Sequence, residues 1–171
     1  MKVDPQTVAV RRREGAALDR LGPVATHLLS QAGGIGQFGA YLEVLEPGAV
    51  SAERHWHEVE DEFLYMLEGE AVLIESGGET PLRPGDACCW PGGVADGHQV
   101  ANRGTLPCRY LIMGTRPAAD RCHYPDLGHT QIDDEDGWRV VEDATGRILR
   151  GGPPGRYDRQ VPESKDTGER E

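Results

Sequence analysis

Turn-forming clusters divide the middle of this chain into pieces too short for ordinary helices: Glu46-Pro47-Gly48, Ser76-Gly77-Gly78, Arg83-Pro84-Gly85 and Pro91-Gly92-Gly93. Proline presets φ and withholds an N–H, and glycine accepts conformations closed to other residues, so each cluster is a turn on local grounds. The apolar runs between them fit strands: Gly39 to Leu45, Val50 to His57, Glu62 to Glu68, Glu70 to Ser76, Asp86 to Trp90, His98 to Asn102 and Leu106 to Thr115. Short strands at this spacing predict an all-β sandwich or barrel over residues 39–116.

The flanks carry weaker patterns. Residues 1–38 hold one stretch suited to a short helix, Gly15 to Leu21, and otherwise form an N-terminal arm expected to pack on the barrel. Within residues 117–149, Trp138 to Glu142 and Arg147 to Leu149 flank a turn and predict a closing hairpin, so this extension should cover a barrel edge. From Arg150 to Glu171 too few apolar residues remain to offset the entropy of ordering, which predicts a mobile C-terminal tail.

A chain of 171 residues suits one domain with its own core. Its 29 acidic and 18 basic residues give a formal charge of -11, which repels phosphate backbones and anionic lipid and argues against nucleic-acid or membrane-surface partners. The one basic run, Arg11-Arg12-Arg13, reads as a solvated face. No stretch reaches the ~20 apolar residues of a bilayer span. The amino end lacks the order of a signal peptide, so the expected location is cytoplasmic. Cys88, Cys89, Cys108 and Cys122 lack CxxC spacing and read as reduced thiols rather than a zinc site.

The chemistry concentrates on histidine. His55 and His57 stand two apart, so on a strand both rings share a face and can serve as neighbouring ligands of one metal. Glu62 opens the following strand, and a hairpin could return its carboxylate over the pair. Imidazoles with one carboxylate suit Mn, Fe, Co, Ni or Zn. Taken alone, the two histidines could instead be exposed strand residues.

These residues resemble the two motifs of the cupin superfamily, G-x5-H-x-H-x3,4-E-x6-G and G-x5-P-x-G-x2-H-x3-N. The first reads Gly48, six residues, His55-Trp56-His57, four residues, Glu62, six residues, Gly69. The second reads Gly85, five residues, Pro91-Gly92-Gly93, four residues, His98, three residues, Asn102. Two extra residues precede His98; an even insertion preserves strand facing, so His98 carries over as the third histidine ligand. Asp61 rivals Glu62 as the carboxylate, but the six residues to Gly69 favour Glu62.

The resemblance implies a double-stranded β-helix, a jelly-roll barrel, holding one divalent ion with His55, His57, Glu62 and His98 and keeping two coordination positions open. It implies a metal-dependent enzyme (oxygenase, isomerase or lyase) acting on a small oxygen-rich metabolite; the alternative is a non-catalytic binding or sensor protein. Tyr41, Glu43 and Arg109 are the candidate catalytic or pocket residues, Arg109 because a guanidinium can clasp a carboxylate. His123 and His129 fall outside both motifs and read as surface or interface residues. Leu64 and Met66 should share the face of Glu62, while Phe63 and Tyr65 face outward and, with Trp138, suggest a homodimer face.

Overall fold

The computed structural model describes residues 1–154. Along the chain come β1 (Val10–Arg12), helix α1 (Gly15–Leu21), β2 (Val24–His27), helix α2 (Leu29–Ala32), β3 (Phe38–Leu45), β4 (Trp56–His57) and β5 (Glu62–Glu68). There follow β6 (Ala71–Glu75), β7 (Gly78–Leu82), β8 (Ala87–Trp90), β9 (Gln99–Ala101) and β10 (Cys108–Thr115). The extension adds β11 (Asp120–Tyr124), β12 (His129–Asp134), β13 (Gly137–Glu142) and β14 (Ile148–Gly152). They form three antiparallel sheets in the orders β1-β2-β3-β10-β5-β8, β14-β13-β12-β11-β4 and β7-β6-β9. The expected all-β jelly roll is thus what the strands build. Among the described residues no helix is long and apolar enough to cross a membrane.

Period-two alternation selects the core. On β5, Leu64 and Met66 point inward and are 1% and 0% exposed, whereas Tyr65 and Leu67 on the opposite face are 40% and 42% exposed. Their neighbours across the ladder are Ile112 and Tyr110 of β10, and beyond these Tyr41 and Glu43 of β3. Leu73, Ala71 and Leu82 of the three-stranded sheet close on this layer. Each fully buried Leu or Met contributes about 1.5–3 kcal/mol.

Two motif residues are structural. Gly69 has φ 75°, and a Cβ there would stand 2.8 Å from the Pro107 carbonyl oxygen, so this turn accepts glycine alone. Buried Asn102 donates to the carbonyls of Leu45 (2.8 Å) and Leu106 (2.9 Å) and accepts from Gly104 N–H, pinning the turn into β10.

The strand expected from Val50 to His57 is not one strand. Val50 bridges Ala101, His55 bridges His98, and only Trp56–His57 joins β11, because this segment crosses from one sheet to another. The arm does more than pack: β1 and β2 extend the large sheet beyond β3. Arg13 is not part of a solvated face; its Nη1 donates to the carbonyls of Leu21, Gly22 and Val50, and its Nη2 to that of Ser51, tying the arm to the barrel. The closing hairpin forms as β13 and β14, with β14 running through Arg150 to Gly152. The remainder of the expected tail, 155–171, lies outside the described residues.

Candidate metal centre

Three elements meet at one point. His55 and His98 face each other across an antiparallel bridge, each donating its N–H to the other's carbonyl at 3.1 and 2.9 Å. The four-residue turn before His98 therefore leaves the ring facing inward. His57 follows on β4, two residues on from His55, and Glu62 enters from the first position of β5. The Nε2 atoms of His55, His57 and His98 lie 3.7, 3.7 and 3.1 Å from Glu62 Oε2. Ligands ~2.0–2.2 Å from a common ion stand roughly 3–3.5 Å apart; His55, Glu62 and His98 come together as one group able to hold an ion, whereas His57 groups with Glu60 and Asp120 or with His55 and Cys122. Glu62 Oε2 is buried without a hydrogen-bond partner, an arrangement that a cation would satisfy.

The remote ring nitrogens explain why Nε2 faces the centre. His55 Nδ1 lies 2.7 Å from the Glu53 carbonyl, an acceptor only, so Nδ1 carries the proton and Nε2 keeps its lone pair. His57 Nδ1 lies 2.5 Å from Asp120 Oδ2, a carboxylate that also accepts from Val59 N–H. A carboxylate behind a ligating histidine fixes the ring and strengthens it as a ligand. His98 Nδ1 is buried without a hydrogen-bond partner, and its ring stacks on Trp90 instead.

Burial holds His55 down at about 4, with Glu62 opposing. Burial also presses His57 downward more than any other single influence, but Asp120, Cys122 and Glu62 together outweigh it and lift that ring to about 11. Burial alone would raise Glu62; the His98, His55 and His57 rings prevail and hold it at about 2. Glu62 is therefore an anion at neutral pH, the form that binds a cation, whereas His57 would have to release a proton to do so.

Around the centre lies a cavity of about 130 Å³ whose lining includes Trp56, His57, Glu60, Glu62, Glu75, Trp90, Asp96 and His98. Glu60 is buried, its Oε2 3.8 Å from His57 Nδ1, and a Cβ at Gly114 would collide with its carboxylate. Gly114 pairs with Glu62 across the ladder, so a glycine there makes room for a second carboxylate beside the first. Asp61 turns the other way and accepts from Gly92 N–H.

The other named residues go elsewhere. Tyr41 and Glu43 point into the barrel, one and two rows beyond Glu62; Tyr41 Oη meets Gln31 and Arg116, and Glu43 accepts from Thr26 and Tyr110. Neither lines the cavity. Arg109 lies on the outer face in an ion pair with Glu68 at 3.2 Å. His123 stacks on Trp56 and pairs with Glu58 at 2.9 Å, and His129 pairs with Tyr124 in the ladder; neither lines the cavity. Sequence reasoning missed Asp120, Glu60 and Glu75. The first belongs to the extension, outside both motifs, and its only signal is a polar residue alternating with Cys122 on an inward face.

Comparison with known proteins supports the fold. The profile of the family described as Cupin domain matches residues 41–114. The crystal structure of a sugar phosphate isomerase of the cupin superfamily from Silicibacter pomeroyi superposes with a TM-score of 0.79 at 33% identity, over 92% of this chain and 98% of that one. The tetracenomycin polyketide synthase protein TcmJ of Streptomyces glaucescens is 29% identical over 134 residues, 77% of this chain and 80% of the relative. An oxalate-binding protein of Thermotoga maritima is 31% identical over 87 residues, 51% of this chain and 70% of that protein.

Proposed function

Because the chain belongs to the cupin superfamily, we propose that it is a divalent-metal-dependent enzyme that moves a proton on a carbon beside a carbonyl group in a small oxygenated metabolite. The observation that carries this reading is the convergence of three Nε2 atoms on the unpartnered Oε2 of Glu62 inside a cavity that holds further carboxylates. His55, His57, Glu62 and His98 would hold Mn, Fe, Co, Ni or Zn. Such an ion supplies a Lewis acid, which makes the proton beside a substrate carbonyl easier to remove.

The chain's own residues supply the rest. Glu75 Oε1 accepts from Trp90 Nε1–H at 3.0 Å. A carboxylate anchored through one oxygen holds the other in a fixed place, the condition for taking a proton from a bound substrate. Trp56 and Trp90 narrow the cavity with apolar surface and limit water around the reacting carbon. The Silicibacter pomeroyi relative is a sugar phosphate isomerase, and aldose–ketose isomerisation is proton transfer of this kind.

Incubation of metal-loaded protein with α-hydroxycarbonyl compounds in D2O, followed by NMR, tests the reading. Metal-dependent deuterium uptake beside the carbonyl, abolished in His55→Ala and Glu62→Ala, supports it; no uptake with any compound contradicts it. The oxalate-binding relative favours a second reading, a binding protein without turnover. A ligand-induced rise in melting temperature with no deuterium uptake supports that one.

A further inference from the structure

The cavity's charge points away from the phosphate in its relative's name. Beyond Glu62, the residues lining the cavity include the acidic Glu60, Glu75 and Asp96, and no described lining residue is Lys or Arg. Arg54, which passes behind the segment leading to His98, is already committed: it clasps Asp126 at 2.9 and 2.6 Å, donates to Ser76 Oγ at 3.0 Å and to the Gly97 carbonyl at 3.4 Å. The uncharged surfaces left for a substrate include Trp56, Trp90, Cys89, Pro91 and Val94.

Sites built for phosphate meet it with guanidinium, ammonium or converging backbone N–H groups. Here a phosphate ester, carrying close to two negative charges, would enter beside three acidic residues, with the ion's charge already shared with Glu62. A like charge a few ångströms away in a half-buried site costs roughly tenfold or more in affinity. A neutral molecule escapes that repulsion and still offers oxygen atoms to the centre. The volume of about 130 Å³ is well under the ~300–1,000 Å³ of drug-sized pockets and suits a molecule of few carbons.

We infer that the substrate is an uncharged α-hydroxycarbonyl or similarly oxygenated small molecule without phosphate or free carboxylate, and that Glu75 and Asp96 set this preference by excluding anions. The inference rests on the proposed metal centre and names what that centre takes. Glu75→Gln is the informative variant, since the amide oxygen still accepts from Trp90 while the charge is gone. Asp96→Asn removes charge at the rim, keeping an oxygen for Ser76 N–H.

Calorimetric titration of metal-loaded protein with dihydroxyacetone and with dihydroxyacetone phosphate isolates the effect, because the two share the chelating group. The neutral compound should bind at least tenfold more tightly, and each variant should narrow that ratio at least threefold. Equal or tighter binding of the phosphate, binding of neither, or a ratio unmoved by both variants overturns the inference. Elemental analysis of the same samples separates the two claims. Metal-loaded protein that prefers phosphate overturns this inference alone, whereas protein that takes up no metal overturns the proposed function as well.

Discussion

The Trp90 indole lies flat on the His98 imidazole, ring centroids 3.9 Å and planes 9° apart. His55 and His57 are each oriented by a hydrogen bond at Nδ1; His98 Nδ1 is buried without one, so the stack and the backbone bridge to His55 hold its ring. Trp90 is itself tethered to Glu75. Losing an outer partner of a ligand costs about 10–100-fold in metal affinity. Trp90→Leu should therefore weaken binding about tenfold, while Trp90→Phe, which keeps a flat ring, should retain most of it. Competition with a chromogenic chelator measures this, and equal affinity in both variants would remove Trp90 from the account.

Glu43 gives a pH signature away from the centre. Burial raises its carboxyl above the ordinary 4.5, although Tyr110 and Thr26 donate to it and work the other way. A raised acid binds its proton more tightly folded than unfolded. Its contribution to stability is thus complete below about 4.5 and is lost as pH rises through the folded value. Glu43→Gln removes this loss. The melting temperature of the variant should gain on that of the wild type between pH 5 and pH 8; a difference that stays constant would show that the acid titrates normally.

The outward face of β5 and β10 presents Phe63, Tyr65 and Leu67 beside Leu111 and Met113, with Tyr65 and Leu67 about two-fifths exposed. Contiguous exposed apolar surface marks an interaction face. A homodimer through this face is the expected state, and Tyr65→Lys should shift it to monomer in light scattering. Wild-type monomer at micromolar concentration would contradict it. Trp138, the other candidate for that face, belongs to a different sheet, where it packs on Gly152.

Much of the histidine–carboxylate cluster was legible because its residues are local in sequence. The spacing of His55 and His57 needs only strand periodicity, and Glu62 rather than Asp61 follows from the glycine six residues beyond. His98 was legible because an even insertion preserves facing. Asp120 was not, since it meets His57 only when β11 pairs with β4, a contact 63 residues away in sequence. Arg109 misled because alternation fixes its face only once the ladder is known: Tyr110 and Cys108 point inward, so Arg109 must point out. The strand β7 was hidden by its composition, Gly78-Glu79-Thr80-Pro81-Leu82, with one buried residue on a sheet edge where proline is tolerated. Arg13 showed only as one of three arginines; what singles it out is the convergence of four carbonyls from distant turns.

Metal content per chain, measured by plasma mass spectrometry on wild type and His98→Ala after loading and desalting, tests the central claim most directly. The wild type should retain about one divalent ion and the variant at least tenfold less, with unchanged circular dichroism. Wild-type protein that retains no metal, or a variant that retains as much as the wild type, would contradict a centre built from these four side chains.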